Sequence, residues 1–203
     1  RVELPDKSSI DIINRKKVAS TLSDYKPYMD YDSDGIPPMA NFGDGIPFHV
    51  TGLIHDISGF PSTNPKVTED LINRLMNKIN NNIGDIIEYE KLYMEDAETV
   101  IVTFGCTARS VLSAIRVLRQ EGFKIGMLRL KTIWPFAHIA IKELMQSSVN
   151  TLIVAEMNYG QLLETVKASA EGAFRIYGLN KYNGELITPQ EVIDKVREVA
   201  EYA

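Results

Sequence analysis

Apolar and polar positions alternate with two different periods along the C-terminal half of the chain. Thr99-Val-Ile-Val-Thr-Phe is short, β-branched and apolar on both sides, the pattern of a strand buried within a parallel sheet. Gly105 ends it and Thr107 is placed to cap a helix. In that helix Val111, Ala114, Ile115 and Leu118 recur every three or four residues, while Ser113, Arg116, Arg119 and Gln120 fall on the other side. Gly122 is then positioned as a left-handed C-terminal cap. The unit repeats: a strand over Lys124 to Leu130, a helix over Phe136 to Gln146, a strand over Thr151 to Glu156, and a helix to about Gly172. A short strand over Phe174 to Tyr177 follows, and Thr188-Pro-Gln-Glu opens a last helix with a capping box. This alternation predicts an α/β fold: a parallel sheet with helices on both faces, and every strand-to-helix turn on one edge.

The N-terminal part reads differently. Ile10, Ile12 and Ile13 with Val18 suggest a short helix within a polar stretch. Between Pro27 and Pro65 lie six of the nine prolines and five of the thirteen glycines, which excludes long regular elements. With Tyr25 just before it, the same region holds Tyr28, Tyr31, Phe42, Phe48 and Phe60, too aromatic for a solvated linker, so it is expected to lie against other surfaces. From Lys66 a helical stripe returns with Val67, Leu71, Ile72, Leu75, Met76 and Ile79, ending at Asn80-Asn-Asn and Gly84. The expected division is therefore 1–84, a connector or tail carrying one amphipathic helix, and 85–203, the α/β domain.

Composition narrows the function classes. A net charge of −5 without a Lys/Arg block argues against a nucleic-acid surface. No apolar run approaches the roughly 20 residues that span a bilayer. The single Cys106 excludes an internal disulfide and fits a cytoplasmic location. The chain opens on Arg1 and its first methionine is Met29, so we expect a fragment.

Candidate chemistry is sparse. Gly43-Asp44-Gly45 followed by Asn73 matches the letters of the thiamine diphosphate–magnesium signature. The context disagrees: no buried strand precedes Gly43, and Asn73 falls inside the amphipathic helix, so the match reads as a decoy. Gly105-Cys-Thr-Ala-Arg-Ser is not a dinucleotide fingerprint, and no acidic residue ends the second strand. Its turn does present helix N-terminal amides beside Arg109; anion binding and ordinary capping with a solvated Arg109 both remain open. Cys106 reads as a buried structural thiol. His49, His55 and His138 match no zinc spacing and read as structural. Trp134-Pro-Phe stands either at the carboxyl edge of the sheet or in a buried corner. Thr107, Arg109, Trp134, Asn158 and Gln161 are expected to meet on that edge, as a site for an anionic group or a partner's acidic loop.

The run from Ala97 to Gln161 resembles the second domain of the alpha subunit of 2-oxoacid:ferredoxin oxidoreductases of the 2-oxoglutarate type. The resemblance is carried by Gly105-Cys-Thr-Ala-Arg-Ser, Leu130-Lys-Thr-Ile-Trp-Pro-Phe and Glu156-Met-Asn-Tyr-Gly-Gln-Leu. Ser33-Asp-Gly-Ile-Pro-Pro-Met, Phe42-Gly-Asp-Gly and Phe48-His-Val-Thr-Gly-Leu-Ile-His-Asp match the connector that precedes it. It implies a domain similar to the transketolase C-terminal domain. It also implies an enzyme complex that decarboxylates a 2-oxoacid on thiamine diphosphate with magnesium, reduces ferredoxin through an iron–sulfur cluster and forms an acyl-coenzyme A. The implied partner is a beta subunit, in a hetero-oligomer. The cofactor-activating, diphosphate, magnesium and cluster ligands would lie elsewhere in the complex, so no catalytic, cofactor or metal residue is assigned here and the chain alone is expected to be inactive. The competing expectation is a stand-alone α/β ligand-binding or docking module.

Overall fold

The computed structural model describes residues 3–19 and 24–201, in two compact units, Arg1–Asn82 and Ile83–Ala203. In the first, β1 (Ile54–His55) pairs antiparallel with β2 (Pro61–Ser62), and α1 (Pro65–Asn80) follows. Pro65 sits at the start of α1, and the Asn64 side-chain oxygen Oδ1 accepts from the N–H groups of Lys66 and Val67. The apolar stripe of α1 is present, but none of it is fully buried; Ile72, Leu75 and Met76 are 47%, 38% and 42% exposed. Ala40 is the one buried apolar residue among the described residues of this unit. Polar contacts hold it instead: Tyr25 donates to the Pro38 carbonyl, Arg74 donates to the Gly35 carbonyl, and Lys16 pairs with Asp32 and Asp34.

The helix expected around Ile10, Ile12, Ile13 and Val18 does not form. Only a single 3₁₀ turn, Lys7–Ser9, precedes it, capped by Asp6. Ile10, Ile12 and Ile13 are 47%, 60% and 90% exposed, and Lys17 makes an isolated bridge to Met39. Without a surface to bury its apolar side, so short a helix has too few hydrogen bonds to offset nucleation.

The second unit runs α2 (Ile83–Ile86), β3 (Tyr89–Leu92), β4 (Thr99–Phe104), α3 (Thr107–Gln120), β5 (Ile125–Leu130), α4 (His138–Leu144), β6 (Thr151–Glu156), α5 (Gln161–Ala170), β7 (Arg175–Asn180) and α6 (Pro189–Glu201). The sheet order is β3-β5-β4-β6-β7, parallel except for β3, which pairs antiparallel with β5. The parallel sheet expected from the sequence thus carries one antiparallel strand at its edge. Tyr-Glu-Lys-Leu is short and charged, and its ion pairs, Arg129 with Glu90 and Lys131 with Glu88 and Glu90, belong to an exposed edge strand.

Helices cover both faces. Val100, Val102, Leu128, Leu152 and Val154 pack against α4 and α5. Ile101, Ile125, Met127, Ile153 and Ala155 pack against α3 and α6. Every second residue of a strand serves the same layer, as the pleat requires. Gly126 lets β5 pass close beneath Tyr93; a Cβ there would lie 2.8 Å from the Tyr93 carbonyl oxygen.

Helix ends refine the expectations. Gly122 (φ +92°) closes α3: its N–H bonds the Arg119 carbonyl and the Phe123 N–H bonds the Leu118 carbonyl. Thr107 is not the cap. It is the first helical residue and is buried, while Cys106 takes the cap position without a side-chain bond. The fourth helix is shorter than expected, since buried Phe136 and Ala137 precede it outside the helix.

The capping box of α6 forms as read: the Thr188 hydroxyl accepts from the Glu191 N–H, and the Glu191 carboxylate accepts from the Thr188 N–H at 2.7 Å. Lys181, 2.8 Å away, and the two Thr188 donors bring the Glu191 carboxyl from 4.5 down to about 2. A depressed folded-state value stabilises above the unfolded value and is lost as pH falls through the folded one. Unfolding free energy contributed by Glu191 should therefore decline between about pH 4.5 and pH 2. Because the side chain is 40% exposed, its share is on the order of 1 kcal/mol. Urea unfolding of Glu191→Gln beside the parent chain checks this: the gap between them should be present at pH 7 and close near pH 2.

Candidate functional site

Sheet connectivity singles out one position on the carboxyl edge. From β4 the chain crosses through α3 to β5, on one side; from β6 it crosses through α5 to β7, on the other. β4 and β6 are neighbours, paired at Thr103 and Ala155, so their turns part at a switch point where open α/β sheets bind ligands or partners. Gly105 (φ +60°) and Cys106 form the first turn, Met157 to Gly160 the second, and Cys106 Sγ lies 4.0 Å from Met157 Sδ. The expectation of a buried thiol is corrected: Cys106 is exposed, because it occupies the helix cap rather than the helix's inward face.

The β6 turn is built around a carboxylate. Glu156 is fully buried. Its two oxygens accept from the Leu162 and Leu163 N–H groups, each at 2.9 Å, and one also accepts from Asn180 Nδ2 at 3.3 Å. The Asn158 side-chain oxygen accepts from the Gly160 and Gln161 N–H groups at 2.8 and 3.0 Å. The amides that open α5 are thus satisfied by the chain itself, and this helix end offers them to no outside anion. The structural weight of Glu156 was missed in the sequence, although a carboxylate ending an otherwise apolar strand just before a helix was the signal.

Of the remaining residues of the edge, Arg109, Trp134 and Gln161 face solvent, Asn158 is half-buried and Thr107 is buried. Thr107 and Arg109 follow β4, Asn158 and Gln161 follow β6, and Trp134 follows β5. Trp134 is 63% exposed, which answers the open question about it: Pro135 and Phe136 are buried, the indole is not. Tyr159 and Tyr182 meet edge to face, with centroids 4.8 Å apart. The lysines beside them are committed. Hydrogen bonds to Glu88 and Glu90 hold Lys131 above its ordinary range, and Glu191 with Glu185 does the same for Lys181. The Arg109 N–H donates to the Cys106 carbonyl, and its guanidinium pairs with no described residue.

The residues present do not fit the cofactors that the resemblance implied. Asp44 accepts from the Asn41 N–H within its own exposed turn, and Asn73 is exposed on α1, so Gly43-Asp44-Gly45 and Asn73 form no diphosphate–magnesium cradle. One cysteine cannot ligate an iron–sulfur cluster. His55 is buried, bonded to Thr51 at 2.8 Å and stacked on Tyr28; His138 bonds Ser169 at 3.1 Å; His49 packs against Phe60. Among the described residues no group of three metal-binding side chains converges, and none of the helices is long and apolar enough to cross a membrane.

The fold is an open, mostly parallel α/β domain with helices on both faces of its sheet. The pyruvate:ferredoxin oxidoreductase core domain II family matches residues 97–192. The 2-oxoglutarate synthase subunit KorA of Methanothermobacter marburgensis is 36% identical over 197 residues, covering 97% of this chain and 52% of that protein. KorA of Methanocaldococcus jannaschii is 39% identical over 184 residues, covering 91% of this chain and 48% of that protein. Among solved structures, 2-oxoglutarate:ferredoxin oxidoreductase from Magnetococcus marinus, with 2-oxoglutarate, coenzyme A and succinyl-CoA bound, superposes with a TM-score of 0.79 at 28% identity, covering 96% of this chain and 34% of that one. Over nearly its whole length the chain is similar to alpha subunits of 2-oxoacid:ferredoxin oxidoreductases. It spans about half the length of the curated relatives it matches.

Proposed function

We propose that this chain serves, within an alpha subunit, a cytoplasmic complex that oxidatively decarboxylates a 2-oxoacid, 2-oxoglutarate or one similar, to an acyl-coenzyme A and passes the electrons to ferredoxin. Supporting this reading is one observation above the others: the likeness to 2-oxoglutarate synthase subunits runs in register through both units, over 97% of the chain. In such a complex thiamine diphosphate with magnesium supplies the carbon–carbon bond chemistry and an iron–sulfur cluster carries the electrons. Neither has ligands among the residues described above.

The part assigned to this chain is assembly with a beta subunit in a hetero-oligomer. Residues 1–84 are read as the connector to a preceding domain. An exposed apolar stripe on α1 supports that reading, as does a cleft of about 310 Å³ lined by Tyr25, Tyr28, Phe48 and Leu75. Such surfaces suit a segment completed by its neighbours.

Calorimetric titration of the 203-residue chain with thiamine diphosphate and magnesium tests the non-catalytic assignment. No saturable heat is expected, and Asp44→Ala should change nothing. A stoichiometric, micromolar signal that Asp44→Ala abolishes would overturn it.

A further inference from the structure

A cleft in the first unit has the size and the walls of a small-molecule site. Its volume is about 310 Å³, at the small end of the roughly 300–1,000 Å³ usual for organic ligands, and Tyr25, Tyr28, Phe48, Ile36, Met39 and Leu75 line it. Contacts behind these walls hold them in place. The Tyr25 hydroxyl donates to the Pro38 carbonyl at 3.0 Å and accepts from the Ala40 N–H at 3.3 Å. Tyr28 stacks flat on His55, with centroids 5.1 Å apart. Gly35 (φ +81°) brings its backbone onto α1: a Cβ there would lie 2.9 Å from Lys78 Cβ, and its carbonyl accepts from Arg74 at 2.9 Å.

Arg74 and Lys78, four residues apart on one side of α1, supply the cleft's charge. No carboxylate of a described residue lines it. Those close by in sequence are engaged elsewhere: Asp70 pairs with Lys66, Asp34 pairs with Lys16, and Asp30 accepts from the Gly35 N–H. The Arg74 guanidinium bonds a carbonyl and no acid, and the Lys78 ammonium pairs with no described residue. We propose that this cleft binds a small organic anion, a single carboxylate on a compact aromatic or branched apolar body. The walls take the body out of water, and the two cations take the carboxylate oxygens. A neutral apolar molecule would desolvate both cations without pairing them, and a bare anion would leave the aromatic walls wet. The proposal goes beyond the subunit role: Ile72 and Met76, exposed on α1, lie outside the cleft, so a neighbour can cover them without filling it.

The test is calorimetric titration of the assembled alpha and beta subunits with 4-phenylbutyrate. Saturable binding of one molecule per chain is expected, with 4-phenylbutanol and acetate each at least ten-fold weaker. Lys78→Gln, which removes an ammonium that no acid holds, should weaken 4-phenylbutyrate binding about ten-fold. Leu75→Glu, which sets a carboxylate at the cleft from a position 38% exposed, should abolish it. Asn73→Glu, exposed on α1 outside the cleft, should leave the affinity unchanged. If Leu75→Glu fails to fold, Lys78→Gln decides alone. No saturable binding, equal affinity for 4-phenylbutanol, or an affinity indifferent to Lys78→Gln would overturn the proposal. Binding to the 203-residue chain but not to the assembly would mean that a neighbour fills the cleft, which overturns the proposal while the subunit reading stands.

Discussion

Replacing Glu156 by alanine is expected to lower the unfolding free energy of this chain by about 3–5 kcal/mol, a large part of the margin of an ordinary domain. The carboxylate is fully buried, and its oxygens accept from the Leu162 and Leu163 N–H groups and from Asn180. Truncation leaves two amides at the opening turn of α5 without an acceptor, and each buried donor left unsatisfied costs about 1–3 kcal/mol. It also removes a negative charge from the positive end of the helix. Glu156→Gln keeps one acceptor oxygen and most of the volume, so a loss of about 1–2 kcal/mol is expected. Urea unfolding of both variants and the parent chain checks this. A loss below about 1 kcal/mol for Glu156→Ala would mean that water replaces the carboxylate and that the β6 turn is held by other contacts.

The same carboxylate marks the limit of what the sequence discloses. Strands β4, β5 and β6 are legible because burial on both faces forces a nearly continuous apolar run, rich in β-branched residues in β4 and β6. Helices α3 and α6 are legible because a one-sided apolar stripe and a capping signal coincide, at Gly122 and at Thr188 with Glu191. What fails is what tertiary contact decides. Strand β3 is an edge strand whose charged residues pair across to Arg129 and Lys131, so its pattern resembles a surface loop. The exposure of Cys106 depends on where α3 begins, one residue earlier than the capping rule placed it. Ile10, Ile12 and Ile13 look helical by composition, yet no described residue buries them.

The candidate site divides in the same way. The sequence places Thr107, Arg109, Trp134, Asn158 and Gln161 on turns at the carboxyl edge, because strand direction alone sets that. It does not separate their tasks. Thr107 is buried, and Asn158 shapes its own turn, whereas Arg109 and Trp134 face solvent. Tyr182 escapes notice altogether, since the loop before α6 carries no motif and gains its place only through the position of β7 beside β6.

The largest functional effect is expected from removing the chain from its complex. If it serves a 2-oxoacid:ferredoxin oxidoreductase, an affinity tag on the chromosomal copy of its gene should bring down a thiamine diphosphate-dependent enzyme. That preparation should reduce a viologen dye only when a 2-oxoacid and coenzyme A are both supplied, with 2-oxoglutarate expected to be the best substrate. On the proposal that this chain holds no cofactor ligands of its own, deleting the gene should abolish the activity by removing a subunit rather than a catalytic group. The same deletion separates a subunit from a stand-alone module, whose loss would leave the oxidoreductase intact. The decisive measurement is therefore coenzyme A-dependent 2-oxoacid oxidation in the tagged preparation and in the deletion strain: activity that co-purifies with the tag and vanishes on deletion is the expected result, and a tagged chain that purifies without any 2-oxoacid-oxidising activity, from cells that keep theirs when the gene is deleted, would contradict it.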